Sequence, residues 1–246
     1  MNRREFNITT TLGAFGTLLF GCSDLEKFPF KKNQVVACFG DSVTYGSKNG
    51  YVEMLQVLAN EKRPELNLKF LNWGKSSETI TGLTEMGHPG PRPYLFERLD
   101  ELLGSTTVDI AVFCYGINCG IYGRPSETLF NSYKTGIYSA LEKMKQKGIA
   151  TILMTPPPLA LETVPLKIDT NAEFTWLNPY PNYDSEVLQE FKRIILEMRH
   201  SALIATVDIH SALSEQQANC YDKDPIHPNR IGHRLIADTF IEKLGF

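Results

Sequence analysis

Short apolar runs alternate with helical segments along most of the chain, and this alternation limits the fold more than any other feature. The first run, at 34–40, is continuous rather than alternating, which is typical of a strand buried on both faces of a parallel sheet. Similar runs predict strands at 68–73, 108–115, 150–154 and 203–209. Helical spacing predicts helices at 51–61, 93–103, 126–147, 183–198 and 229–244. The order predicts an α/β fold, a three-layer α/β/α sandwich around a five-stranded parallel sheet.

Composition excludes several other classes of protein. The chain has 246 residues, 42% of them hydrophobic, which is ordinary for a globular domain and unlike a disordered chain. A formal net charge of −3 argues against a nucleic-acid-binding surface. Five cysteines are too few for a disulfide scaffold, and none has the spacing of a structural zinc site. We therefore expect no nucleic-acid partner and no metal or organic cofactor.

The first 21 residues have the layout of an export signal. Arg3 and Arg4 precede a short apolar stretch, as in twin-arginine signals, and the segment ending in Cys22 is similar to a lipobox, whose cysteine receives a lipid. A buried N-terminal helix is the alternative, which the threonines and glycines of this stretch disfavour. Cys22 would then carry the protein's contact with the membrane, and fatty-acid labelling that is lost in Cys22→Ala would test this.

This layout predicts three regions. They are a signal peptide at 1–21, a tether at 22–33 and one folded domain at 34–246. The expected location is outside the cytoplasm, as a periplasmic or cell-envelope lipoprotein. Export by the twin-arginine or the general secretory route remains open.

A serine follows directly after the first predicted strand. Carboxyl ends of parallel strands meet at one edge of a sheet, so Ser42 is expected at a ligand-binding edge, with Gly40 allowing a tight turn. The segment is not a Gly-x-Ser-x-Gly nucleophile elbow, because Thr44 occupies the last position. Asp41 and Ser42 are also ordinary turn and cap residues, so this motif is weak evidence when taken alone.

A candidate base lies just before the last predicted helix. A serine nucleophile needs a general base, and the base needs an acid that orients it. Asp224, three residues before His227, can reach Nδ1 of the imidazole while Nε2 faces the serine. Asp222 is the competing acid, although it would need a looser loop, and a solvated turn with a capping histidine is the structural alternative.

Candidate donors for an oxyanion follow two other strands. Acyl transfer needs hydrogen-bond donors aimed at the oxygen that becomes negatively charged. Gly74 can offer a backbone N–H with no side chain in the way, and Asn118 can offer its amide. Singly, both are more often turn residues.

Taken together, these motifs resemble the SGNH hydrolase superfamily, also called GDSL esterases, and in particular a branch of bacterial secreted members. The resemblance covers most of 34–246 and implies a flavodoxin-like sheet order. It implies that Ser42 is the nucleophile, His227 the base and Asp224 its orienting acid. It also implies an oxyanion hole made by the backbone of Ser42 and Gly74 and the side chain of Asn118. The chain departs from the family where Cys119 replaces the usual aspartate, which affects local hydrogen bonding.

The function that follows is a serine ester hydrolase acting on carbohydrate or other short-acyl esters. A lipase, lysophospholipase or thioesterase for longer chains, an acyltransferase, and a lipid-anchored binding protein without turnover are the alternatives. Four residues are candidates for lining the substrate pocket, with ordinary loop packing as the alternative: Lys75, Arg92, Tyr122 and Trp176.

The remaining histidines and cysteines are expected outside the chemistry. Structural roles are favoured for Asp208 and His210, and a surface or capping role for His233, whereas His88 could line the site or face water. Cys119 and Cys220 lie in loops and could form a disulfide in an oxidising compartment, although their distance cannot be read from the sequence.

Overall fold

The computed structural model describes residues 30–46 and 49–246. The strands are β1 (Val35–Gly40), β2 (Lys69–Gly74), β3 (Ile110–Cys114), β4 (Ala150–Met154) and β5 (Leu203–Val207). The helices are α1 (Ser42–Tyr45), α2 (Tyr51–Lys62), α3 (Leu99–Ser105), α4 (Glu127–Gln146), α5 (Gln189–Glu197), α6 (Ile209–Ser214), α7 (Gln217–Cys220) and α8 (Arg230–Lys243). Two 3₁₀ turns, Pro64–Leu66 and Leu95–Glu97, and a π-helical segment, Tyr183–Leu188, complete the described elements.

The five strands form one parallel sheet in the order β2-β1-β3-β4-β5. This confirms the predicted fold class and the flavodoxin-like order. Gly40, the last residue of β1, pairs with Gly74 of β2 on one side and with Cys114 of β3 on the other. Because these strands end in register, the segments that follow them begin side by side.

Both faces of the sheet are buried, each under its own set of helices. Phe39 and Phe113 pack on the face covered by α3, α4 and α5, and their neighbours Cys38 and Val112 pack on the face covered by α2, α6 and α8. Successive side chains of a strand point to opposite faces, so a strand buried on both must be apolar throughout. This explains the continuous apolar run at 34–40.

The folded domain extends further toward the N-terminus than the expected boundary at residue 34. Phe30 is buried, and its ring packs against Phe240 of α8 and against Phe246. Phe30, within the expected tether, therefore contributes to the core, whereas residues 31–33 are exposed. The predicted signal peptide and Cys22 lie outside the described residues.

Two expectations about individual side chains need correction. His233 is buried on the inner side of α8 and stacks on Tyr51, because α8 packs against α2 rather than facing solvent there. Cys119 and Cys220 are both free thiols, and they belong to cores on opposite faces of the sheet, so a disulfide between them is not formed. Asp208 caps α6 by accepting a hydrogen bond from the backbone of Ser211, which agrees with its expected structural role.

Across residues 30–46 and 49–246, no helix has both the length and the apolar character that a membrane crossing requires.

Candidate active site

Ser42 and a pair of side chains from the opposite end of the sequence form a series of hydrogen bonds at the carboxyl edge of the sheet. Ser42 is the first residue of α1, and its Oγ lies 2.8 Å from Nε2 of His227. Nδ1 of the same imidazole lies 2.5 Å from Oδ2 of Asp224. The other carboxylate oxygen accepts the backbone N–H of Ile226 at 2.7 Å, which fixes the carboxylate plane.

The surroundings of these hydrogen-bonded side chains favour an ionised Asp224 beside a His227 of raised pKa. Partial burial acts to raise the pKa of Asp224, but hydrogen bonds from His227 and from the backbone of Ile226 outweigh it and hold that pKa below its usual value. The hydrogen bond that His227 donates to Asp224 raises the pKa of His227, against the opposing effect of burial. An imidazole in this setting holds a proton more firmly than a free one.

The competing acid has a different partner. Asp222 accepts a hydrogen bond from Nδ2 of Asn229 at 2.8 Å, and Asn229 in turn caps α8 through the backbone of Ile231 and Gly232. Asp222 thus fastens the loop that precedes the last helix, and Asp224 is the carboxylate that contacts His227.

Close backbone packing sets the position of Ser42. A Cβ atom at Gly40 would lie 2.0 Å from Oγ1 of Thr44, and one at Gly74 would lie 2.1 Å from the backbone nitrogen of Tyr45. Only glycine permits α1 to lie this close to the ends of β1 and β2. The two glycines therefore decide where the serine hydroxyl is held.

Asn118 presents an unsatisfied donor beside the serine. Its Oδ1 accepts a hydrogen bond from the Tyr122 hydroxyl at 2.9 Å, whereas its Nδ2 is buried and has no partner. The backbone N–H of Ser42 is a second donor, because the first position of a helix has no intrahelical acceptor.

The backbone N–H of Gly74 is already engaged. It donates to Oδ1 of Asn72 at 3.1 Å, and Nδ2 of Asn72 is held in turn by Glu53 and by the backbone oxygen of Tyr45. Gly74 is therefore not an open donor in this arrangement, and its clearest role is the close packing of α1.

Two cavities meet at Ser42, Ser76 and His227. The smaller has a volume of about 290 Å³ and reaches Asn118, and the larger, of about 510 Å³, opens toward Tyr45. The smaller cavity is lined by three of the four predicted substrate-binding residues, Arg92, Tyr122 and Trp176, together with His88. The fourth, Lys75, is exposed and is not among the residues that line either cavity, because the chain turns outward after β2.

Arg92 faces the cavity but is committed to a buried ion pair. Its guanidinium makes two hydrogen bonds to Glu85, of 2.5 and 2.6 Å, and both side chains are only 2% exposed. A third bond, of 3.2 Å, goes to the backbone oxygen of Ser77. This arginine holds the 77–92 loop in shape, and Glu85 is a site-forming residue that the sequence analysis missed, since no local pattern pairs positions seven apart in a loop.

Asp41, next to Ser42, is buried and incompletely bonded. Its Oδ1 caps α1 by accepting the backbone N–H of Val43 at 2.9 Å, whereas Oδ2 has no partner. Burial raises the pKa of Asp41 to about 7, although the Val43 hydrogen bond and the nearby His227 act to lower it. A neutral carboxyl at this position is therefore well populated near neutral pH.

Cys119, which departs from the pattern of the resemblance, is a buried support of the loop after β3. Its Sγ accepts the backbone N–H of Ile80 at 3.5 Å, and its backbone oxygen accepts the hydroxyl of Thr81 at 3.2 Å. Burial raises the pKa of the Cys119 thiol to about 12, so the side chain is a neutral support of this loop.

This arrangement has the groups that acyl transfer requires. It brings together a hydroxyl, an imidazole that can take its proton, a carboxylate that orients the imidazole, and donors for an oxyanion. Among the residues that the structure describes, no group of three or more His, Cys, Asp or Glu side chains is placed to hold a metal ion.

Comparisons with solved structures show the same fold. The acetylxylan esterase Axe2 of Geobacillus stearothermophilus superposes with a TM-score of 0.61 at 20% identity, covering 88% of this chain and 96% of that one. LAE5, an α/β hydrolase from the metagenome of Lake Arreo in Spain, superposes with a TM-score of 0.64 at 18% identity, covering 88% and 97%. At these identities the likeness concerns the fold.

The sequence itself was compared with protein families and with curated proteins. No curated protein matches. The GDSL-like lipase/acylhydrolase family matches residues 38–235. This range includes Ser42, Asn118 and His227. The chain therefore belongs to the GDSL-like lipase/acylhydrolase family, and it is a carboxylic ester hydrolase of the SGNH type.

Proposed function

We propose that this esterase works by covalent catalysis at Ser42 and removes short acyl groups from carbohydrates. The observation that carries the proposal is the continuous hydrogen-bonded chain from Ser42 through His227 to Asp224. This is the arrangement by which a serine is deprotonated as it attacks a carbonyl carbon.

The reaction proceeds through an acyl-enzyme. Oγ of Ser42 forms a bond to the ester carbonyl carbon while its proton passes to Nε2 of His227. The tetrahedral oxyanion is bound by the backbone N–H of Ser42 and by Nδ2 of Asn118. The N–H of Gly74 would be a third donor if its hydrogen bond were bifurcated between the oxyanion and Oδ1 of Asn72. His227 then protonates the departing alcohol as the ester C–O bond breaks, and water repeats the sequence to release the acid.

The size and lining of the smaller cavity support a short-acyl carbohydrate ester. Its volume of about 290 Å³ is at the lower end of the range for ligand pockets. Trp176 lines it and offers a flat apolar face to a sugar ring, whereas Ser76 and Ser77 offer hydroxyl groups. The structurally similar Axe2 is an acetylxylan esterase, which agrees with this choice.

A second candidate, hydrolysis of longer acyl chains, is favoured by exposed apolar side chains on two loops that line the cavity. Met86 and Leu177 are exposed by 71% and 64%, and they lie on the loops that carry His88 and Trp176. Exposed apolar side chains on these loops would suit contact with a fatty-acyl chain.

Labelling and substrate profiling test the proposal. A fluorophosphonate probe is expected to label the wild type and Ser76→Ala but not Ser42→Ala, because Ser76, although it lines the same cavity, has no bond to His227. Hydrolysis of nitrophenyl esters is expected to fall from acetyl to palmitoyl, with acetylated xylooligosaccharides also cleaved. Preference for palmitoyl esters would favour the second candidate, and the absence of both labelling and hydrolysis would indicate a binding protein without turnover.

A further inference from the structure

The amide of Asn118 can face the cavity in two ways, and only one is useful for catalysis. With Nδ2 toward the cavity it donates to an oxyanion, whereas with Oδ1 there it would repel one. In the structure Nδ2 is the free atom, and Oδ1 is bound to the hydroxyl of Tyr122 at 2.9 Å.

The hydroxyl of Tyr122 selects between these orientations. It has one proton, and Tyr122 is 1% exposed, so the proton needs an acceptor within the protein. Turning the amide over would leave this proton without its acceptor, and leaving a buried donor without a partner is unfavourable. Burial also raises the pKa of Tyr122, so the hydroxyl remains a donor.

The phenol ring is itself held on several sides. It stacks on Tyr183 with ring centroids 5.2 Å apart, and the guanidinium carbon of Arg92 lies 5.7 Å from its centroid. The Tyr183 hydroxyl donates to the backbone oxygen of Ile117 and accepts the N–H of Gly120, which ties the ring stack to the loop carrying Asn118.

The backbone of this loop is strained where it presents the tyrosine. Ile121 and Tyr122 both have positive φ angles, of 48° and 56°, which are unfavourable for side-chain-bearing residues. The turn from Asn118 to Ile121 and a hydrogen bond from Tyr180 to the backbone oxygen of Tyr122 maintain this conformation. It brings the hydroxyl onto Asn118.

We propose that Tyr122 is a positioning residue for the oxyanion hole, whose hydroxyl keeps Nδ2 of Asn118 turned toward the reacting carbonyl. This rests on the proposed function, in which Asn118 is an oxyanion donor. It differs from the substrate-binding role that the sequence suggests for Tyr122, because the tyrosine acts through Asn118 rather than on the substrate.

A double-mutant cycle tests the inference with nitrophenyl acetate as substrate. Tyr122→Phe keeps the ring and its stack, and we expect kcat to fall about tenfold, the effect of losing one buried hydrogen bond, with KM changed less than about twofold. Asn118→Ala should lower kcat by about 10²–10³, the usual effect of removing one oxyanion donor. The double variant should be no slower than Asn118→Ala, because the hydroxyl acts only through the amide.

Tyr133→Phe is the matched control. Its hydroxyl is also buried and donates to a backbone oxygen, that of Tyr115, without touching Asn118, so kcat should stay at the wild-type level. Should Tyr122→Phe fail to fold, 4-fluorophenylalanine at position 122 fills the space of the hydroxyl and cannot donate.

Three results would overturn the inference. They are a wild-type kcat in Tyr122→Phe, a change confined to KM, and a decrease in kcat by the same factor when Tyr122→Phe is added to Asn118→Ala. Wild-type activity in Asn118→Ala alone would contradict the proposed oxyanion hole itself, and the inference with it. Loss in Asn118→Ala without loss in Tyr122→Phe would overturn only the inference.

Discussion

At the scale of single residues, two acids close together in sequence have separate tasks. Asp224 contacts the imidazole of His227, whereas Asp222 holds Asn229 at the start of α8. In the proposed mechanism His227 must be neutral to act as the base, so the rate is expected to fall as the pH drops through the pKa of that histidine. Asp224 raises this pKa, and therefore moves the loss of activity to higher pH.

The exchange Asp224→Asn should have two effects. We expect kcat to fall by about 10³–10⁴, as for the corresponding change in other triads, because the imidazole loses its orientation. The residual activity should persist to lower pH, since the carboxylate that raised the pKa of His227 is gone. The measurement is kcat/KM against pH, with Asp222→Asn expected to match the wild type. An unshifted acid limb, or a larger loss in Asp222→Asn, would contradict this assignment.

Residues that belong to motifs were predictable from the sequence, whereas residues whose role depends on the conformation of a loop were not. Ser42, Asp224 and His227 follow from motif order and from the rule that parallel strands end at one edge. The contact of Tyr122 with Asn118 depends on two positive φ angles, and that of Arg92 with Glu85 on the path of a loop. Neither leaves a periodic signal in the sequence, so both tertiary contacts were unpredictable.

At the scale of elements, the long strands and helices were predictable, and the short ones were not. The strand at 150–154 was predicted with its bounds, because five consecutive residues of β4 are buried or partly buried. The helices α1, α6 and α7 were missed, because four to six residues complete little more than one turn and show no repeat. The helix expected at 93–103 is a 3₁₀ turn followed by α3.

One of these short helices, α1, holds Ser42, and its position depends on Gly74. In Gly74→Ala, the new Cβ would meet the backbone of Tyr45 and α1 would have to move. We expect a loss of about 1–3 kcal/mol in the free energy of unfolding, as in other overpacked sites. The rate kcat/KM should fall by about 10–100-fold, because small displacements of a nucleophile strongly affect reaction rates.

Gly104→Ala is the control for the same chemical change. Position 104 lies within α3 with no atom within 4 Å of the added Cβ, so the variant should be more stable by about 0.5–1 kcal/mol and fully active. Urea denaturation and esterase assays on both variants give the comparison. Equal activity of the two alanine variants would show that α1 tolerates the shift.

At the scale of the whole molecule, the site is assembled from loops that leave different strands. The sheet fixes where Ser42 and Asn118 begin, but the volume of the smaller cavity depends on how the loops carrying His88 and Trp176 approach each other. Those loops are rich in proline and lack repeating hydrophobic spacing, so the sequence indicated their importance without indicating their path. Substrate size is therefore a property of the complete fold.

The stability of the whole molecule against pH provides the last prediction, because Asp41 opposes the trend of most carboxylates. Its pKa is about 7 in the folded protein and about 3.9 in an unfolded chain. Below pH ~4 it is protonated in both states and has no effect, and as the pH rises through 7 the folded state must hold a buried charge. Stability that is present in acid is thus lost toward neutral pH.

Asp41→Asn should remove the loss of stability that Asp41 causes between acid and neutral pH, while the amide oxygen still caps α1. We expect the free energy of unfolding of the variant, relative to wild type, to rise by about 4 kcal/mol between pH 4 and pH 8, at about 1.4 kcal/mol per pKa unit. Asp100→Asn is the control of opposite sign, since the hydrogen bond from Lys143 lowers the pKa of Asp100 on the surface of α3. Urea denaturation across this range measures both differences. The prediction would be contradicted if the free energies of unfolding of Asp41→Asn and wild type changed in parallel with pH. That result would mean that Asp41 is already charged in the folded protein at acid pH, because only a carboxyl that stays neutral until about pH 7 makes the difference between the two proteins depend on pH.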